Sequence, residues 1–409
     1  MSYLISCQIC GHKKLTSVLN IGHQPIVQEY LTSQSLHDVE TRYPLHMVQC
    51  GRCGLAQLDY VVEPKKVFPR HYPYRSGLTN MLVRNFRNLA DELESSHPWK
   101  KNDLIIDIGS NDGTLLEGFK NKGMRVLGVE PTNAAKVANA KKIPTLQSFF
   151  DAKTARQIRK KYGAARIVTA TNVFAHIDDA PALAKNISSI LDPEGVFVSE
   201  SQYLLDIVEK MEFDTIYHEH LRFYSLKPLL LLLKSAGLSV IHAERIQAAG
   251  GSIRVFATKG IHPQSTALKA LIKTEEEAGL YNGTGLRRFA EKSMAARNEL
   301  LALVLKIKGG GAKIVGLTSA ARSNTLLGYS KLDSSLIDYT GEKKGSPKIG
   351  LYTPGTHIPV VDESRILKEQ PDYVLVLSWH IGKELAKKMR DLGYKGKFII
   401  PLPKPRIVS

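Results

Sequence analysis

The chain has 409 residues, of which 43% are hydrophobic and 23% charged, with a formal net charge of +17. This is enough for two or three domains with their own cores, in a composition that excludes a disordered or fibrous chain. The leucine run 229-LLLLL-233 is far too short for a bilayer, and MSYLISCQIC lacks the pattern of a secretion signal, so a cytoplasmic protein is expected.

The excess of basic residues selects no partner. Clusters such as 157-QIRKKYG-163 and 383-KELAKKMR-390 fall at helical spacing, where solvated helix faces account for them. Neither nucleic acid nor a membrane is expected as a partner.

All four cysteines lie in the first 53 residues, as 7-CQIC-10 and 50-CGRC-53, each pair followed by a glycine. Turns of this kind aim two thiolates at one ion, so Cys7, Cys10, Cys50 and Cys53 are expected to hold Zn2+ in a closed, structural four-sulfur shell. Redox dithiols or disulfides are the alternatives, and both fit a cytoplasmic setting poorly.

From residue 103 the pattern turns to strand, turn and helix. Residues 103-DLIIDIGSNDGTLLEGF-119 read as an apolar strand, a turn carrying Gly109 and Gly113, and a helix start. A second strand, 124-MRVLGVEP-131, ends in Glu130, and further strands fit 165-ARIVTATNV-173 and 195-GVFVSES-201. Strands alternating with helices imply an α/β fold with a doubly wound, Rossmann-like parallel sheet, whose ligand lies beyond the carboxyl ends of the strands. The turn is D-x-G-x-x-x-G and lacks the G-x-G-x-x-G spacing that brings backbone against a pyrophosphate. An acid ending the second strand suits ribose hydroxyls. Together these favour S-adenosylmethionine over NAD, against the alternative of an ordinary tight turn.

The stretch 217-YHEHLRFYS-225 precedes an apolar helix, 226-LKPLLLLLKSAG-237, with Ser225 as the expected N-cap and Gly237 as the close. Its histidines admit a metal site, an acid/base site or a polar corner. H-x-H lacks the i, i+4 spacing of a helical zinc pair.

Several segments together resemble one family, the three-domain sugar C-methyltransferases that methylate nucleotide-linked 4-keto-6-deoxy sugars. They are 20-NIGHQPIVQEYL-31, 72-YPYRSG-77, 107-DIGSNDG-113, 171-TNVFAHIDD-179, 213-FDTIYHEHLRFYS-225, 250-GGSIRVF-256, 324-NTLLGYS-330, 353-TPGTHIP-359 and 371-PDYVLVLSWH-380. The resemblance implies a zinc-binding domain (1–75), a methyltransferase domain (76–262) and a C-terminal Rossmann-like domain (263–409). The last follows a helical stretch near 265–305, and its strand 313-KIVGLTS-319 opens onto a helix N-terminus able to meet an anion.

The resemblance further implies S-adenosylmethionine at Asp107, Gly109, Asn111, Gly113, Glu130 and Asn172. It implies His220 as the catalytic base beside Tyr217 and Glu219, with Tyr74 reaching the sugar. Tyr72, His218, Arg322 and Asn324 are then expected at a nucleotide-diphosphate sugar, in a protein read as a monomer with assembly left open. His176 borders the cofactor or is a satisfied loop histidine. Where the family often has histidine before Gly-Gly-Ser and lysine before Gly-Asn-Thr, this chain has Ala249 and Arg322. The arginine keeps a charge suited to phosphate. The reaction implied is methyl transfer to C3 through an enolate. A zinc-containing RNA methyltransferase and a non-catalytic sugar-nucleotide module are the competing readings, the first lacking aromatic–basic interleaving.

Overall fold

The structure is a computed structural model that describes residues 2–68, 75–78 and 80–409. Tyr72 and Tyr74 lie outside the described residues.

The N-terminal lobe is an antiparallel sheet of β1 (Leu15–Gln24), β2 (Tyr43–Cys50) and β3 (Ala56–Leu58). The two cysteine pairs sit in matching turns. Gly11 N–H donates to Cys7 O at 3.0 Å and Gly54 N–H to Cys50 O at 3.1 Å. Both glycines have positive φ, +69° and +78°, which turns the chain back over its own thiols.

The middle sheet has seven strands: β4 (Leu104–Ile108), β5 (Arg125–Val129), β6 (Thr145–Leu146), β7 (Ala165–Thr171), β8 (Leu191–Gln202), β10 (Leu238–Ile246) and β11 (Ser252–Lys259). Their order is β10–β11–β8–β7–β4–β5–β6, with β4 to β8 parallel and β11 antiparallel to both its neighbours. The order reverses between β4 and β7, and the crevice at their carboxyl ends is where such a sheet takes its ligand. Strands β4 and β7 are buried on both faces, hence their near-continuous apolar runs. Helix Asn80–Ser96 packs Phe86, Leu89 and Leu93 against Leu115 and Phe119.

β9 (Arg222–Phe223), which follows the histidine-rich stretch, leaves this sheet and pairs antiparallel with β3 of the cysteine lobe. The chain then enters helix Leu226–Ser235, which buries Leu226, Leu229, Leu232 and Leu233, each worth roughly 1.5–3 kcal/mol on burial. Ser225 stands at the N-cap position, but its hydroxyl makes no cap. Leu226 N–H donates instead to both carboxylate oxygens of Glu275, at 2.9 and 3.0 Å.

Helices Thr266–Glu277 and Thr284–Gly309 lead to the C-terminal domain. Its sheet comprises β12 (Ile314–Leu317), β13 (Thr340–Glu342), β14 (Val360–Asp362), β15 (Tyr373–Val376), β16 (Lys397–Ile400) and β17 (Arg406–Val408). The order is β14–β13–β12–β15–β16–β17, parallel except for β17, so this domain too is a Rossmann-like α/β layer. No helix among the described residues is long and apolar enough to cross a membrane.

Candidate active site

The four cysteine sulfurs lie within 4.8 Å of one another, with Cys7 Sγ 3.5 Å from Cys53 and Cys10 Sγ 3.6 Å from Cys50. All four are free thiols. The hydrogen bond from Cys53 pulls the Cys7 thiol down to about 5, and the same contact pushes Cys53 up. Four sulfurs clustered in this way are a donor set that fits zinc in a closed shell.

At the switch point of the middle sheet, Gly109 has φ +72°, and a Cβ there would meet Val173 Cγ2 at 2.4 Å. Only glycine fits that approach between the turn after β4 and the loop after β7. Gly113, at φ +79°, opens helix Thr114–Asn121. Glu130, just past β5, is buried and binds the turn directly, one oxygen accepting from Asn111 N–H at 3.1 Å and the other from Thr132 N–H at 2.8 Å. A carboxylate has about four acceptor positions, so two remain for a ligand's hydroxyls.

Asp107 is buried on β4 and accepts from the Thr169 hydroxyl at 2.7 Å; burial pushes its carboxyl up to about 7. The side chain of Asn111 accepts from Ser76 N–H at 3.0 Å, Asp112 from Gly77 N–H at 3.2 Å, and Asn133 from the Arg75 guanidinium at 2.7 Å. Residues 75–77 are thus laid across the cofactor turn. Asn172, with φ +57°, directly follows β7 and donates its N–H to Glu200 O.

The histidine-rich stretch runs beside the loop after β7. Leu221 N–H donates to Ala175 O at 2.8 Å, and His176 Nδ1 donates to Glu219 O at 2.6 Å. The rings of His176 and His220 lie 5.1 Å apart, and Tyr217 lies 4.1 Å from His220. His220 Nδ1 is 2.7 Å from Thr215 O. A carbonyl only accepts, so the proton is on Nδ1 and the lone pair on Nε2. Burial first, then the neighbouring His176, pushes the ring down to about 3 and keeps it neutral. This is the tautomer and charge a proton acceptor needs. Thr215, whose carbonyl sets it, is not legible as functional in the sequence, because a main-chain group leaves no residue-type signal.

Three residues expected at the substrate make contacts within the protein. His218 turns toward the cysteine lobe, donating Nε2–H to Pro44 O at 3.2 Å beside the Tyr43 ring. Asn324 clamps the cysteine lobe to the C-terminal domain through Val27 O at 2.7 Å and Tyr30 Oη at 3.2 Å. Arg322 is engaged by Asp214, to which Nε and Nη2 donate at 3.1 and 2.9 Å. Trp379 Nε1 donates to the same carboxylate at 2.8 Å. Just before the helix that follows β12, Ser319 N–H donates to Glu342 at 2.9 Å.

Three family models match along the chain: "Putative zinc binding domain" over residues 7–68, "Methyltransferase domain" over 81–243 and "C-methyltransferase C-terminal domain" over 247–403. The C-methyltransferase NovU of Streptomyces niveus is 32% identical over 407 residues, 98% of this chain and 96% of that protein. The chain belongs to the three-domain C-methyltransferases. As a member of that family it is an S-adenosylmethionine-dependent C-methyltransferase with a zinc-binding lobe. Among solved structures, the magnesium protoporphyrin IX methyltransferase ChlM of Synechocystis PCC 6803 is 13% identical, covering 49% of this chain and 99% of its own, with a TM-score of 0.37. The CcbJ methyltransferase of Streptomyces caelestis is 14% identical over 43% of this chain and 90% of its own, at a TM-score of 0.35.

Proposed function

We propose that this C-methyltransferase methylates C3 of a nucleotide-linked 4-keto-6-deoxy sugar in deoxysugar biosynthesis, with the domains divided at 75/76 and 262/263. The observation that carries the reading is the Thr215-held tautomer of His220, a neutral acceptor next to the switch point of the sheet. S-adenosylmethionine, when bound by the Gly109–Gly113 turn, Asp107, Asn111, Asn172 and Glu130, supplies an electrophilic methyl carbon.

In this scheme His220 Nε2 takes the proton from the carbon next to the ketone, and the C–H electron pair moves into the enolate. The enolate carbon then forms its bond to the methyl group as the C–S bond breaks and its pair stays on sulfur. A placed base contributes roughly 10²–10⁴-fold. Since burial lowers the basicity of His220, donors aimed at the enolate oxygen carry the larger share. Tyr217, in ring contact with His220, and Tyr74, just before the anchored residues 75–77, are assigned that role, with Glu219 holding the sugar or the ring.

The test is to supply S-adenosylmethionine with a 13C-labelled methyl group and a panel of nucleoside-diphosphate 4-keto-6-deoxyhexoses. Label on the carbon beside the ketone is expected. Label on oxygen, or turnover only with RNA, refutes the reading.

A further inference from the structure

A cavity of about 1350 Å³ separates the middle and C-terminal domains, walled by Asn85, Lys210, Glu212 and Gly250 on one side and Trp379 and His380 on the other. At its wall Glu212, with Arg322 behind it, forms a charge group that the chain itself leaves incompletely paired. Glu212 is 1% exposed, yet neither carboxylate oxygen accepts a hydrogen bond, the nearest cation being Arg322 Nη2 at 3.5 Å. Arg322, 8% exposed, spends Nε and Nη2 on Asp214 and leaves Nη1 without an acceptor. A Cβ built on Gly250 would fall 2.8 Å from Glu212 Oε1 and 3.0 Å from Arg322 Nη1, so the bare acceptor and the bare donor sit side by side above that glycine. Buried polar groups are rarely left so, and one that lines a cavity points to a ligand that completes it.

We propose that Glu212 and Arg322 Nη1 form a hydroxyl-recognising subsite that takes a ring hydroxyl of the sugar, deepening the reading above and resting on it for the sugar. A hydroxyl suits both atoms at once, donating to the carboxylate and accepting from the guanidinium N–H. A phosphate does not fit, because two carboxylates, Asp214 and Glu212, already surround the one guanidinium. An ammonium satisfies Glu212 but faces Arg322. The expectation that Arg322 binds the diphosphate is thereby replaced. Burial pushes the Glu212 carboxyl up to about 7, as it does a group awaiting its partner.

Two measurements on the zinc-loaded protein, saturated with S-adenosylhomocysteine, test this. In the first, calorimetry compares dTDP, GDP, UDP and CDP with the same nucleotides carrying a 6-deoxyhexose, for the wild type, Glu212→Ala and Glu212→Gln. The wild type should prefer a sugar-bearing nucleotide by about 10- to 100-fold over its bare diphosphate. Glu212→Ala should lose that preference with unchanged affinity for S-adenosylhomocysteine, while Glu212→Gln, which keeps an acceptor oxygen, retains part of it. In the second, the 13C carboxyl resonance of Glu212, assigned by its loss in Glu212→Gln, is followed as sugar nucleotide or free 6-deoxyhexose is added.

A shift together with the calorimetric loss supports the subsite. A shift with free hexose but no binding of any nucleotide keeps the subsite and rejects the nucleotide-sugar reading. Binding of sugar nucleotides with no shift, or with Glu212→Ala as selective as wild type, overturns the subsite and leaves that reading standing. Neither shift nor binding rejects both.

Discussion

Removing zinc from the cysteine lobe should loosen the stretch that carries His220, more than 160 residues away in sequence. Gln8, inside the first cysteine pair, donates Nε2–H to Leu221 O at 3.4 Å and to Leu58 O at 3.3 Å. Leu58 N–H donates to the same Leu221 oxygen at 2.9 Å, and His218 donates to Pro44 O at 3.2 Å. Contacts of this kind contribute roughly 0.5–1.5 kcal/mol each, so the three that hold Leu221 and His218 amount to about 2–4 kcal/mol. Losing them should raise local opening of residues 217–223 by roughly 10- to 1,000-fold, at RT ln 10 of about 1.4 kcal/mol. Hydrogen exchange read by mass spectrometry, with and without a chelator and in Cys10→Ser, measures this directly. Peptides from β4 and β12 serve as references that should not change. If the cysteine lobe opens while residues 217–223 exchange as before, the lobe does not hold the base and the reasoning fails.

Two further outcomes follow from the geometry. Gly109→Ala places a Cβ 2.4 Å from Val173 Cγ2 at φ +72°, so it should cost roughly 1–3 kcal/mol and weaken S-adenosylhomocysteine binding; a variant with wild-type melting and affinity would contradict the close approach. His218 is pushed down by burial to about 4, against about 6.5 unfolded, so the unfolded chain binds the extra proton. The stability this gives is full above pH 6.5 and is lost as pH falls toward 4. Between pH 7 and 5 the wild type should lose about 2 kcal/mol relative to His218→Asn, at about 1.36 kcal/mol per pH unit. The difference between the two proteins is the readout, because Asp107 and Glu212, both raised to about 7, slope the other way: their stability contribution falls as pH rises from about 4 through 7. Parallel curves would remove His218 from its buried, neutral state.

The parts of this molecule that are local in sequence were readable from it. Paired cysteines followed by glycine, an apolar strand running into D-x-G, and an acid one strand later each announce a short-range geometry, and the sheet order and turn conform. What could not be read is what depends on contacts across the chain. β9 pairs with β3 rather than with the sheet it follows, which turns His218 and His220 to different neighbours within three residues. Ser225 has the right type for a cap, yet Glu275, 49 residues beyond Leu226, reaches the helix end with two oxygens. Arg322 has the charge for a phosphate, but two of its nitrogens donate to Asp214, 108 residues away. Glu212 carries no motif at all, and only its burial beside the cavity marks it.

The claim on which the scheme turns is that Nε2 of His220 removes a proton from carbon. Incubating the protein with S-adenosylhomocysteine and a nucleotide-linked 4-keto-6-deoxy sugar in D2O isolates that step from methyl transfer. The wild type should wash deuterium into the position next to the ketone, and His220→Asn, which can still donate to Thr215 O but has no ring acceptor, should do so about 10²–10⁴-fold more slowly. Equal wash-in by the two proteins, with S-adenosylhomocysteine bound equally well, would contradict the account.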